Sequence, residues 1–297
     1  MKNNYLILPI LAGIMLGSTG IFVRTLTSNG INSITLFFTR FSISTILLLL
    51  IILGYNKKLM EINKEDILLL VFCGLFILGL NLCYNNSINS LSLSLASVLL
   101  CCAQIFVIIF SYFLFKEQIT KIKIISILLV ILGCILVSGL FENSVIFSLF
   151  GIFYGICSAI FWALYTVTSR KSIDKKIHTL TILFYGLLII NIVSIPFTDF
   201  SEITHYLLLN LVKNIVFLIL HSMFSFTLPY VFITIALNYL EAGTVSILSS
   251  CSPLASMIFG IIFYQEIPSP LMVMGLIITM FALFILSKHQ QTHNNKI

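Results

Sequence analysis

Ten apolar runs, each near the length needed to cross a bilayer, follow one another along the 297 residues, and no other feature restricts the fold as much. A helix crosses the hydrocarbon core with about 20 apolar residues, each rising about 1.5 Å. Runs of this kind fill residues 5–23, 34–54, 67–87, 95–115, 122–141, 146–168, 179–197, 214–237, 243–264 and 271–287. The connections between them are too short for a soluble domain. Hydrocarbon offers no partner to a backbone N–H or C=O, so each crossing segment must bond internally. The expected fold is therefore an all-α integral membrane protein of about ten transmembrane helices. Charged residues make up 9% of the chain, against about 25% in soluble domains. The first run follows Lys2, as the apolar part of a signal peptide would, yet no small-residue cleavage pattern follows and Arg24 ends it directly. It is expected to remain as the first helix.

The basic residues indicate orientation. Assigned to alternate connections, Lys2, Lys57, Lys58, Lys64, Lys116, Lys121, Lys123, Arg170, Lys171, Lys175, Lys176, Lys288 and Lys296 fall on one side. The other side has only Arg24 and Lys213, and Arg40 falls within a span. Short loops rich in Lys and Arg stay in the cytoplasm. This predicts cytoplasmic N and C termini for a multi-pass protein of the plasma membrane, the inner membrane of a bacterial cell. The formal net charge of +6 is used up in that role, so no nucleic-acid partner is expected. All seven cysteines lie inside apolar runs without zinc-ligand spacing and read as small packing residues. No phosphate-binding Walker loop, HExxH or GxSxG motif is present, nor a clustered His and carboxylate pattern. Neither an enzyme nor a metal or cofactor site is expected.

Two stretches resemble each other at a distance. An offset of 149 places Glu117 on Glu266, Asn89 on Asn238, Ser97 on Ser246, Cys102 on Cys251 and Phe110 on Phe259. Independently, GIMLG (Gly13, Gly17) opens the first half and GIFYG (Gly151, Gly155) opens the sixth run; both have the small-xxx-small form that lets helices approach closely. Two five-helix repeats are expected, residues 1–141 and 142–288, followed by a polar cytoplasmic tail at 289–297. Five is odd, so the second repeat enters the membrane from the opposite face. The loop carrying Glu117 is then cytoplasmic and keeps its lysines, whereas the loop carrying Glu266 lies outside and has none.

The order and spacing of GSTGIFVR (17–24), TRFSIS (39–44), SLASVLL (94–100), LFKEQ (114–118), FWALYTVTSRK (161–171) and SILSSCSPLASMIFGIIFYQE (246–266) resemble the EamA-type permeases of the drug/metabolite transporter superfamily. The resemblance covers nearly the whole chain. It implies ten helices in two inverted repeats around a cavity lined by helices 1, 3, 4, 6, 8 and 9. It also implies secondary-active export of amino acids or related small metabolites. Import of nucleosides, carboxylates or cofactors stays open, as does a non-transporting sensor or scaffold. The expected partners are a small-molecule substrate and the lipid bilayer, with a homodimer also allowed.

The sequence departs from that pattern at one place. Helix 9 carries Ser252 and Pro253, whereas the matching place in helix 4 holds Ala103 and Gln104. Without proline, helix 4 is expected to run straighter. The Gln104 amide, near the midplane, either packs against another helix or awaits substrate. Asn81, Tyr84, Trp162, Tyr230, Ser249 and Ser252 are further candidates for a substrate cavity, although Trp162 and Tyr165 also fit an interfacial aromatic belt. Pro229 and Pro253 are candidate helix breaks for gating. No Asp or Glu falls at mid-membrane, which disfavours a carboxylate proton relay. His221 is the remaining candidate for proton coupling. Arg40 reads either as a structural residue or as a holder of an anionic group.

Overall fold

In the computed structural model, residues 5–90, 96, 99–137, 148–265 and 269–294 are described, and their regular structure is entirely helical. The helices are α1 (Ile7–Gly17), α2 (Thr19–Ser28), α3 (Ser33–Tyr55), α4 (Lys64–Ser90), α5 (Ala103–Phe115), α6 (Lys121–Val137) and α7 (Leu149–Asp174). They continue with α8 (Thr179–Ser194), α9 (Phe200–Leu209), α10 (Leu211–Ser222), α11 (Leu228–Leu237), α12 (Ala242–Ser249), α13 (Ser252–Tyr264) and α14 (Pro270–Asn294). A π-helical segment, Met223–Thr227, joins α10 to α11.

Among the described residues seven helical stretches are long and apolar enough to cross a membrane: Ile7–Ser28, Ile34–Tyr55, Lys64–Ser87, Leu149–Asp174, Thr179–Phe197, Leu211–Leu237 and Ala242–Phe263. Leu99–Phe115 and Pro270–Leu286 are shorter apolar helices. The chain is thus a multi-pass helical membrane protein. Leu50, Phe113, Leu128, Phe153 and Phe284 are each more than half exposed; such a surface is stable only when hydrocarbon is the solvent.

The first span is longer than expected. It bends at Ser18, whose Oγ donates back to the carbonyl of Met15 at 2.6 Å, and then continues past Arg24 to Ser28. The hydroxyls of Thr25 and Thr27 bond the carbonyls four residues behind them, so polar residues extend the helix without unpaired groups. α9 is a second departure from expectation. Asp199 caps it by accepting from Ser201 N at 2.9 Å.

The offset of 149 reappears in the backbone. α5 and α13 are both 13 residues long, and each ends on a left-handed residue, Lys116 (φ 55°) and Gln265 (φ 54°). Each also begins after a turn, at Cys102 (φ −67°, ψ −10°) and Cys251 (φ −74°, ψ −2°). α6 and α14 start at the matching residues Lys121 and Pro270 and pack along each other. Ser126 Oγ donates to Ala282 O at 3.4 Å, and Gly133 lies so close to α14 that a Cβ would stand 2.8 Å from Gly275 O. Shifted by 149, Ser126 and Gly133 become Gly275 and Ala282. The two contacts therefore exchange with each other, as a local two-fold relation between the helices requires.

The small-residue motifs clasp the broken helices. A Cβ on Gly17 would stand 2.7 Å from Ser252 O and 2.9 Å from Ser256 N, so α1 lies directly on the start of α13. A Cβ on Gly155 would meet the Cβ of Leu99 at 2.9 Å, so α7 lies on the segment leading into α5. In hydrocarbon such van der Waals approach replaces the hydrophobic effect as the packing force. Two apolar cores result. One gathers Ala12, Val107, Val130, Ala236, Val245 and Leu286; the other gathers Phe41, Ile77, Tyr165, Leu187, Phe226 and Tyr230. Leu16, Trp162 and Ile173 pack against both.

Candidate functional site

Three helices bring polar side chains to one depth near the end of the bundle that carries Asn32 and Asn210. Arg40 lies seven residues inside α3, His221 ten residues inside α10 and Asn81 nine residues before the end of α4, which at about 1.5 Å per residue puts each roughly 10–15 Å in. The start of α3 is held by Asn32. Its Oδ1 accepts from Ile34 N at 2.9 Å and Thr35 N at 2.8 Å, while its Nδ2 donates to Glu202 Oε1 at 2.8 Å. From that anchored helix, Arg40 Nη2 donates to Asn81 Oδ1 at 2.9 Å, and Asn81 Nδ2 donates to Ile77 O at 2.8 Å.

The guanidinium stands over the Phe41 ring, 4.7 Å from its centroid. The aromatic wall continues from there. Phe41 meets Phe226 edge-on at 4.7 Å, Phe226 stacks on Tyr230 at 3.9 Å, and Tyr230 lies 5.8 Å from Trp162 and 5.5 Å from Tyr165. Thr227 Oγ1 donates to Ser44 Oγ at 2.9 Å, tying the π-helical segment to α3. Around this wall several buried polar atoms have no hydrogen-bond partner among the described residues: Arg40 Nε, both ring nitrogens of His221, and Ser225 Oγ. His221 is fully buried and its ring rests 5.7 Å from that of Phe22.

A second polar group lies where the two helix breaks meet. The absence of proline predicts a straighter fourth helix, but the helix breaks at Cys102. Cys102 N bonds Leu99 O at 3.1 Å and Ile105 N bonds Cys102 O at 3.0 Å, the tighter i to i+3 pattern. Tertiary contact sets this break: Gly155 receives Leu99 on one side, and Gln104 Nε2 donates across to Ser250 Oγ at the other break. Ser250 Oγ in turn donates to Ser246 O at 2.9 Å. Gln104 is buried, and among the described residues neither its Oε1 nor Ser246 Oγ has a partner. Ser249 is spent on its own helix, donating to Ser246 O at 2.9 Å, and Ser252 opens α13 against Gly17.

At the lysine-rich end, several side chains hold helix ends. Glu117 Oε1 accepts from Ala242 N at 3.0 Å and Oε2 from Gly243 N at 3.5 Å, so a carboxylate caps α12 where its dipole is positive. Lys123 pairs with Glu241 and donates to Gln118 O at 3.1 Å. Arg170 donates to Leu237 O and, at 2.9 Å, to Leu240 O, covering the carbonyls that end α11. Tyr5 stacks on Tyr239 at 3.6 Å. Burial pushes the Glu117 carboxyl above its ordinary range; Glu241 adds to the rise, while the Ala242 N–H and Lys123 oppose it.

Of the sequence candidates, Asn81, Trp162 and Tyr230 meet around Arg40, with His221 within its electrostatic reach. Gln104 and Ser249 belong to the second group. Tyr84 lies one turn beyond Asn81, near Cys101. Pro229 stands in the first turn of α11, directly after the π-helical segment, and Pro253 in the first turn of α13. Ser225, Phe226 and Ser250 were not expected. The SSCSP run at 249–253 already holds the signal for Ser250, because serines before a proline break bond back to their own helix. No group of three or more His, Cys, Asp or Glu side chains is placed to hold a metal among the described residues.

Comparison with known proteins bears on the same architecture. A crystal structure of a protein sharing 13% identity superposes with a TM-score of 0.76 over 96% of each chain. An uncharacterised transporter of Clostridium kluyveri is 25% identical over 93% of this chain and 90% of its own. The pseudopaline exporter CntI of Pseudomonas aeruginosa is 27% identical, with 84% of each chain covered. An uncharacterised transporter of Archaeoglobus fulgidus is 30% identical over 76% of this chain and 78% of its own. The EamA-like transporter family matches residues 3–139 and again residues 149–288, so the chain, with its paired broken helices, belongs to the EamA-like transporter family.

Proposed function

We propose that this transporter is secondary-active and exports amino acids or related small organic metabolites by alternating access. The observation that carries the reading is the meeting of two broken helices, with Gln104 reaching Ser250 across the breaks and keeping a free, buried acceptor. Discontinuous helices leave polar groups at membrane depth, and transporters bind their substrates at such places between repeats. On this reading the chain has ten crossings in two inverted five-helix repeats, 1–141 and 142–288, with the tail at 289–297 and both termini in the cytoplasm of a plasma membrane. Export is supported by the name of the Pseudomonas relative, which is an exporter. The decisive experiment loads proteoliposomes containing only this protein with radiolabelled amino acids and measures counterflow. Exchange faster than in protein-free vesicles is expected. Exchange at the protein-free rate for every amino acid would exclude amino acids as its substrates.

A further inference from the structure

Arg40 is a cation held inside the bundle with no carboxylate to neutralise it among the ion pairs of the described residues. One of its nitrogens is used, on Asn81, and its buried Nε is not. An unpaired charge in low dielectric is costly, and a protein that keeps one normally presents it to a ligand or an ion. The neighbouring unpartnered groups have the matching chemistry. His221, on α10, offers an imidazole N–H, and Ser225 Oγ, in the π-helical segment, offers a hydroxyl. π-helical turns recur at functional sites because they displace one residue from the helical register. Each of the three side chains has an unpartnered donor among the described residues, and Arg40 adds a positive charge, so an anion is the group that suits them. A ligand carrying only positive charge would be repelled by Arg40. The aromatic wall of Phe226, Tyr230 and Trp162 adjoins the donors.

We propose that Arg40, His221 and Ser225 form the seat of a carboxylate, and that the substrate is an amphipathic organic acid or zwitterion whose apolar body lies along Phe226, Tyr230 and Trp162. The inference rests on the transport reading and names its substrate class. A guanidinium suits the task because its planar fork matches a carboxylate.

The chain contains one tryptophan, Trp162, and it belongs to the wall, so its fluorescence reports occupancy. Purified full-length protein in nanodiscs of zwitterionic lipid is titrated with 3-phenylpropionate and with its neutral amide, 3-phenylpropanamide. The acid is expected to bind at least roughly tenfold more tightly, the difference between a charge-assisted and a neutral contact. Arg40→Gln should abolish that preference and Arg40→Lys retain part of it. The comparison on the unmodified protein stands even if a variant does not fold. Equal binding of acid and amide, an unchanged preference in folded Arg40→Gln protein, or no quenching by either probe overturns the proposal. Quenching by sodium chloride equal to that by the acid would assign Arg40 to a structural counter-ion and also overturn it. The transport reading fails separately: loss of counterflow with an intact acid preference sinks that reading, while counterflow with equal acid and amide binding sinks only this site.

Discussion

Gln104 stands where a proline occupies the matching place of the other broken helix, and its amide is half used. Nε2 bonds Ser250, and Oε1 bonds nothing among the described residues. On the proposed transport reading, a free buried acceptor here is a place for a substrate donor, worth on the order of 1 kcal/mol net. Gln104→Leu should therefore keep folded yield but raise the apparent transport constant several-fold. If packing were its whole role, the same variant would melt earlier with an unchanged constant, so melting and transport titrations on one preparation separate the cases. Glu117 makes a second residue-scale prediction. Burial leaves its carboxyl holding a proton more tightly in the folded chain than in the unfolded one. Its stabilising contribution is then complete below the ordinary value of 4.5 and is lost as pH climbs through the raised folded value. Glu117→Gln, which cannot ionise, should flatten the fall in melting temperature over that window. An identical slope in the variant would show that another group titrates there.

At the scale of the helix, the grip of α1 on the α12–α13 break is the feature most open to test. Gly17 has backbone of α13 within 2.9 Å of where a Cβ would stand, whereas Gly20, one turn on, has nothing within 4 Å. Gly17→Leu should force α1 away and abolish counterflow while Gly20→Leu keeps it; equal activity of the two variants would mean that the close approach has no part in transport. The seven spans found among the described residues were legible in the sequence because about 20 apolar residues in a row leave few alternatives to a crossing helix. The interruptions were less so. Pro253 announces the break before α13, but nothing local announces the one at Cys102, which depends on Gly155 and Ser250, residues far along the chain. The π-helical segment is equally silent, since Ser44 of α3 secures it through Thr227. Arg40 was visible as an intramembrane charge, but its pairing with Asn81 depends on how α3 and α4 are rotated, which apolar runs leave open.

Across the whole molecule, the unequal lysine content of two related loops predicts their placement on opposite faces of the membrane. Thr120→Cys and Ser269→Cys, each in a chain whose seven native cysteines have been replaced, should react with an impermeant maleimide from opposite sides. Reaction from the same side would exclude inverted repeats. The contact between α6 and α14 carries a further consequence. Ser126 with Ala282, and Gly133 with Gly275, are the same contact made twice with the partners exchanged. Nothing in that contact depends on the peptide linking the halves. Two fragments, residues 1–141 and 142–297, produced together in one cell should find each other through these helices and co-purify on a tag carried by either. Co-purification would be the behaviour of an antiparallel dimer whose subunits have been joined end to end.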